Sequence, residues 1–170
     1  MKTKIKLLSE DAVIPSRAHD TDSGYDLRMI ALDKIVGDVM FFKTGIAIQP
    51  PKGYYYRIYP CSRISKYPLE LANSVGVIDE TYTGEVMIPI RLTHPGMGQD
   101  LKNVSFPSGV VKIFDARPST MSGVAQLILK ETPVLCQMIL EKRYSADFEV
   151  VEELEETERG EGGFGSTSKK

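Results

Sequence analysis

The apolar residues of this chain come in short runs cut by turn-forming residues, and that rhythm constrains the fold most. The runs are "IKLLS", "KIVGDVMFFKTGIAIQ", "GYYYRIYP", "GEVMIPIRL", "VVKIFDA", "GVAQLILKE", "VLCQMILEKRY" and "FEVVEEL". Between them stand turn signals such as Gly37-Asp38, Pro50-Pro51-Lys52-Gly53, Pro95-Gly96 and Pro118-Ser119. A period near 3.6 is weak throughout. Many short strands separated by such turns imply an all-β sandwich or barrel. The one helix candidate is "PLELANSV", residues 68–75, which opens on Pro68. Residues 145–158, "SADFEVVEELEETE", read either as a strand running into an acidic helix-prone stretch or as an extended arm.

At 170 residues and 42% hydrophobic, the chain can build one domain with a real core. A net charge of -2 argues against a general nucleic-acid binder, which carries a strong basic excess. Cys61 and Cys136 are far apart in sequence and do not form a disulfide framework. His19 and His94 have no Cys or His neighbour of zinc-ligand spacing. No segment reaches the roughly 20 apolar residues of a membrane helix, and the N-terminus lacks the apolar run of a signal peptide. The expectation is a soluble protein of the cytoplasm, with no membrane or nucleic-acid partner.

The end of the chain, "ETERGEGGFGSTSKK", contains Gly160-x-Gly162-x-x-Gly165. The spacing fits a dinucleotide fingerprint, but that motif needs a strand before it and a helix after it, and only five residues follow. Two uses remain. The stretch is a frayed terminus, or it is a lid that orders on a ligand. In the second case its glycines let backbone N–H groups wrap a phosphate chain. Phe164 then stacks on a base and Arg159 forks onto phosphate oxygens.

Four other stretches carry chemistry, each with an ordinary reading beside it. In "GVIDETYTGEV", Asp79 at a strand end can hold a water as general base or simply start a turn. Tyr82 is a rim aromatic or a platform under a sugar. "TDSGYDL" sets Asp22 and Asp26 around Gly24, as many turns do. "YPCSRISKY" offers Ser62, Arg63, Ser65 and Lys66 to phosphate oxygens, or is a polar loop. Gln137 interrupts the apolar "VLCQMIL", and an amide there must find partners.

In order and spacing, "TDSGYDL", "PCSRISK", "GVIDETYTGEV", "VLCQMIL" and "RGEGGFGSTS" resemble the five motifs of the trimeric dUTP pyrophosphatases, the dUTPases. The resemblance implies a jelly-roll-like β-barrel over residues 1–158, three copies of which form a homotrimer with shared active sites. It implies a mobile C-terminal arm, residues 159–170, that closes over the substrate. The implied reaction converts dUTP and water to dUMP and pyrophosphate, lowering dUTP and supplying dUMP for thymidylate synthesis. Mg²⁺ rides on the triphosphate with no direct protein ligand, in keeping with the preference of a hard ion for oxygen. Residue by residue, Asp79 matches the aspartate that activates water. Gln137 matches the glutamine near the α-phosphate. Tyr82 matches the tyrosine that leaves no room for a 2′-hydroxyl. Asn73 and the backbone of Gly76 and Val77 match the uracil contacts. Ser62 matches a phosphate-contacting serine. Arg159, Phe164, Gly165, Ser166 and Thr167 match the closing arm. Asp26 matches a network residue.

The sequence departs from the family pattern twice. The second motif places Cys61 where an arginine usually stands, leaving Arg63, two residues on, as the substitute cation. A long segment at about residues 94–131 separates the third and fourth motifs and is expected to add a hairpin outside the barrel. Some bacteriophage members use an extra element there to bind partner proteins; the bland alternative is a solvated insertion without a role. "GVAQLIL" within it imitates the fourth motif, but the 22 residues from Gln137 to Arg159 match the family interval. Two further functions stay open: a dCTP deaminase or bifunctional deaminase-pyrophosphatase on the same fold, and a weakened, partner-binding relative.

Overall fold

A computed structural model describes residues 1–93, 102–106, 109–113 and 118–163. Its strands are β1 (Lys4–Leu7), β2 (Tyr25–Arg28), β3 (Ala31–Val36), β4 (Val39–Gln49), β5 (Tyr54–Pro60), β6 (Leu69–Leu71), β7 (Gly76–Ile78), β8 (Glu85–Leu92), β9 (Lys102–Phe106), β10 (Gly109–Ile113) and β11 (Val134–Lys142). One α-helix, α1, spans Pro118–Glu131. Two antiparallel sheets carry the fold. The first runs β1-β4-β8-β6, with β3 also on β4, and the second runs β2-β11-β5-β7. The strands β9 and β10 pair with each other as a separate hairpin. The all-β, jelly-roll-like expectation holds.

Alternation makes the core. Along β8, Val86, Ile88, Ile90 and Leu92 are buried while the residues between them face outward. They meet Met40, Phe42, Ile46 and Ile48 of β4 in the same apolar cluster. The facing sheet contributes Leu27, Tyr56, Ile58, Ile78 and Met138. Each such side chain contributes about 1.5–3 kcal/mol of transfer free energy. β4 changes register between Lys43 and Ala47. Gly45 sits in that break at φ 69, a left-handed value that favours glycine. A Cβ there would stand 2.6 Å from Ile30 Cδ1. The buried Thr44 hydroxyl donates to the Val86 carbonyl at 2.6 Å, so the break leaves that hydroxyl satisfied.

Two expectations fail. Residues 68–75 are not helical: Leu69 and Leu71 are buried with Glu70 exposed between them, so the period is two and the segment is β6 plus a turn. The segment at 94–131 does hold a hairpin, but it also holds α1, and that helix is not outside the core. Met121, Val124, Ala125 and Ile128 are fully buried in the main cluster, at the i, i+3, i+4, i+7 spacing of a helix face. The continuous apolar run "GVAQLIL" hid that period.

Regular structure ends at Lys142, and residues 143–158 are exposed in the extended manner of an arm. Phe148 and Val150 are 96% and 99% accessible. No helix among the described residues is long and apolar enough to cross a membrane.

Candidate active site

The site residues fall into two groups on the second sheet. The first surrounds Gln137 on β11, which pairs with Asp26 of β2 on one side and Tyr59 of β5 on the other. Gln137 is half-buried, and a Cβ on Gly24 would overlap its Oε1, so glycine is what lets the "TDSGYDL" loop lie against the amide. Asp26 itself is exposed, and its backbone N–H donates to Ser16 O at 2.8 Å. Asp22 has a turn role: its carboxylate accepts the His19 N–H at 2.9 Å.

The 3-10 turn Ser62–Lys66 belongs to this group too. It is pinned to β11 because the Cys61 N–H donates to Leu135 O at 2.9 Å. Ser62 and Arg63 are exposed on the turn, with side chains available to a ligand. Cys61, at the turn's N-cap, provides no side-chain cap. Its thiol instead lies 3.8 Å from Val134 O. Cys136, opposite Pro60, is fully buried, and burial pushes its thiol up to about 12.

The second group follows β7. Gly76 is packed against Ile58: a Cβ there would stand 3.2 Å from the Ile58 Cβ and 3.5 Å from Asn73 Nδ2. Asn73 thus lies beside the Gly76 backbone, in a turn where Ser74 takes φ 59. Val77 points outward and is 54% exposed. Asp79 stands just past the strand, exposed, and its carbonyl accepts the Tyr82 N–H at 3.1 Å. The Tyr82 hydroxyl donates to Glu85 O at 2.9 Å, folding the ring over Gly84, where a Cβ would come within 2.5 Å of the hydroxyl. The aromatic platform is therefore held at a fixed angle with 43% of its surface free.

Asp79 lines a cavity of about 380 Å³ with Tyr55, Glu80, Thr81 and Arg143. Glu80, Tyr55 and Arg143 have no counterpart among the sequence-derived candidates. Only the position of Glu80 beside Asp79 pointed to one of them. Tyr55 opens an outward ladder on β5. Its hydroxyl donates to Glu141 at 2.9 Å, which raises its pKa, and Tyr59 donates to the other oxygen of the same carboxylate at 3.2 Å. Arg57 lies 3.4 Å from Glu141 and donates to the Tyr59 hydroxyl at 3.1 Å.

The two groups are not adjacent within one chain. Gln137 pairs with Tyr59, while Asp79 lies beyond the β7 residue that pairs with Tyr56. Four positions along β5 and two strand spacings separate them by about 16 Å. Arg159 stands outside both groups. Its Nε donates to Gly162 O at 2.9 Å in a turn where Gly160 takes φ 50. Phe164, Gly165, Ser166 and Thr167 lie outside the described residues. Among the described residues, no group of three or more His, Cys, Asp or Glu side chains converges on a metal position.

The family model for dUTPase matches residues 10–92. A deoxyuridine 5'-triphosphate nucleotidohydrolase of Clostridioides difficile is 32% identical over 168 residues, covering 96% of each chain. The enzyme of the same name from Escherichia phage T5 is 33% identical, covering 97% of this chain and 91% of its own. Among solved structures, the dUTPase of Staphylococcus bacteriophage 80alpha with dUpNHpp superposes with a TM-score of 0.65 at 24% identity, over 98% of both chains. A mutant dUTPase of phage phi11 of S. aureus, solved with a coordinated structural Mg(II) ion, superposes at 0.61 and 21% identity, over 92% of this chain and all of its own. With full-length relatives above 30% identity and the same two-sheet fold, the chain belongs to the dUTPase family.

Proposed function

We propose that this protein hydrolyses dUTP to dUMP and pyrophosphate in sites shared between copies of a homotrimer. The observation that carries the reading is the split of the site. Ser62 and Gln137 stand on one group, Asp79 and Tyr82 on another about 16 Å away, so a compact site requires groups from different copies. Relatives named as nucleotidohydrolases of deoxyuridine triphosphate supply the substrate.

In this reading the exposed Asp79 carboxylate takes the proton of a water and directs it in line at the α-phosphorus. Tyr82, fixed over Gly84 by its bond to Glu85, packs under the deoxyribose and excludes a 2′-hydroxyl. Asn73 and the Gly76–Val77 backbone pair with uracil, so that cytosine leaves polar groups unsatisfied. Ser62, Arg63 and Gln137 of a neighbouring copy bind the phosphates, and Asp26 orients Gln137 across the β2–β11 pair. The arm from Arg159 to Thr167 closes the site, with Phe164 over the base and Arg159 on the terminal phosphate. Neutralising the triphosphate is the chemistry that bound Mg²⁺ supplies, and it enters on the phosphate oxygens of the substrate.

Pyrophosphate release from dUTP, with dTTP, dCTP and UTP as controls, tests the reading. Release from dUTP alone supports it. Ammonia release from dCTP supports the deaminase instead, and inertness toward all four overturns the enzyme reading.

A further inference from the structure

Glu80 follows Asp79 directly yet serves a different set of partners. Its Oε2 accepts the Gly53 N–H at 2.9 Å and lies 3.4 Å from Arg143 Nη2. The Gly53 carbonyl in turn accepts the Arg143 N–H at 2.8 Å, and Gly53 holds the turn open at φ 79. One carboxylate oxygen thus ties three segments together: the loop that bears Asp79, the turn between β4 and β5, and the first residue after β11. That last residue is the root of the exposed segment leading to Arg159. The Glu80 side chain is 26% exposed, so the tie is partly shielded from solvent.

We infer that Glu80 is a positioning residue, with Arg143 as its partner: together they fix the loop that presents Asp79 and anchor the arm to it. The inference rests on Asp79 being the base. Its physics is short-range. Glu80 and Asp79 share a peptide plane, with Cα atoms about 3.8 Å apart. A carboxylate held by a backbone N–H and a guanidinium makes charge-assisted bonds, stronger than neutral ones. Releasing Glu80 lets the neighbouring backbone swing, and a misplacement of about 1 Å at a catalytic group is worth about 10²-fold in rate. The Arg143 limb is more exposed, and ion pairs of that kind contribute little alone.

The test uses the full-length protein and the variants Glu80→Ala, Glu80→Gln, Arg143→Gln, Arg143→Lys and Glu80→Gln/Arg143→Gln, with Asp79→Asn as reference. Glu80→Ala is expected to lower kcat for dUTP about tenfold or more while KM changes less than about twofold. Glu80→Gln and Arg143→Gln should each cost about three- to fivefold in kcat, with the double variant no worse than the poorer single one. Arg143→Lys should recover most of the loss. Amide exchange gives a readout independent of turnover: Glu80→Ala should speed exchange at Tyr82 N–H, which donates to Asp79 O, and at Gly53 N–H. Unchanged exchange at both amides overturns the inference. So does a kcat loss that comes only with a parallel rise in KM and a fall in Tm, or losses at Glu80 and Arg143 that multiply. Wild-type inactivity toward dUTP, or Asp79→Asn at full rate, sinks the underlying reading instead, and the exchange data then decide the clamp alone.

Discussion

At the scale of single residues, the second group makes sharp demands. Asp79→Asn keeps the shape of the side chain and removes its basicity, so kcat should fall about 10²-fold or more with substrate binding nearly intact. Steady-state kinetics with a separate binding titration would separate the two effects. Gly84→Ala tests the platform differently. A methyl group within 2.5 Å of the Tyr82 hydroxyl must displace the ring. Discrimination of dUTP over UTP should then drop about tenfold or more, read as a ratio of kcat/KM values. The residues of the five motifs were legible because each lies in a short local pattern whose chemistry travels with it. Glu80 and Arg143 were not, because their meaning comes from a pairing across two sheet edges that no local spacing records. Gln137 lay between these cases: the amide in an apolar run was visible, but its fit against Gly24 needed the β2–β11 register.

Among the elements, the helix is the instructive one. Strands with clean alternation, such as β8, could be read directly. In α1 the buried set at 121, 124, 125 and 128 was also present in the sequence, but Leu127 and Leu129 filled the gaps and gave the stretch the look of a strand. The opposite error at 68–75 had the same origin: too few residues to tell a period of two from a helical turn. Because Ile128 has no exposed surface, Ile128→Ala should destabilise the fold by about 2–5 kcal/mol. The same change at the exposed Gln126 should stay within about 0.5 kcal/mol. Chemical denaturation of the two variants side by side would check this contrast. Removing residues 159–170 should leave the barrel and its assembly intact and reduce kcat severely, since every apolar side chain of the core cluster precedes Arg159. Sedimentation alongside turnover measurements would show whether the two properties separate.

The whole molecule raises the question of how a divided site becomes one. If Asp79 and Gln137 act together only across copies, two inactive variants can repair each other. Mixing Asp79→Asn with Gln137→Ala after dissociation and reassembly should restore activity to about a quarter of wild type, the share of sites that random mixing leaves with both groups intact. Mixing without reassembly should restore nothing. Recovery in neither case would place both groups in one chain's site and contradict the 16 Å gap. The helix has a consequence at this scale as well. An engineer aiming to trim the protein to a minimal enzyme would be tempted to excise the whole stretch between β8 and β11 as a removable module. That cut would strip one wall from the interior and leave oily cargo facing water. The hairpin of β9 and β10 is the safer place for the scissors, and the helix has to stay.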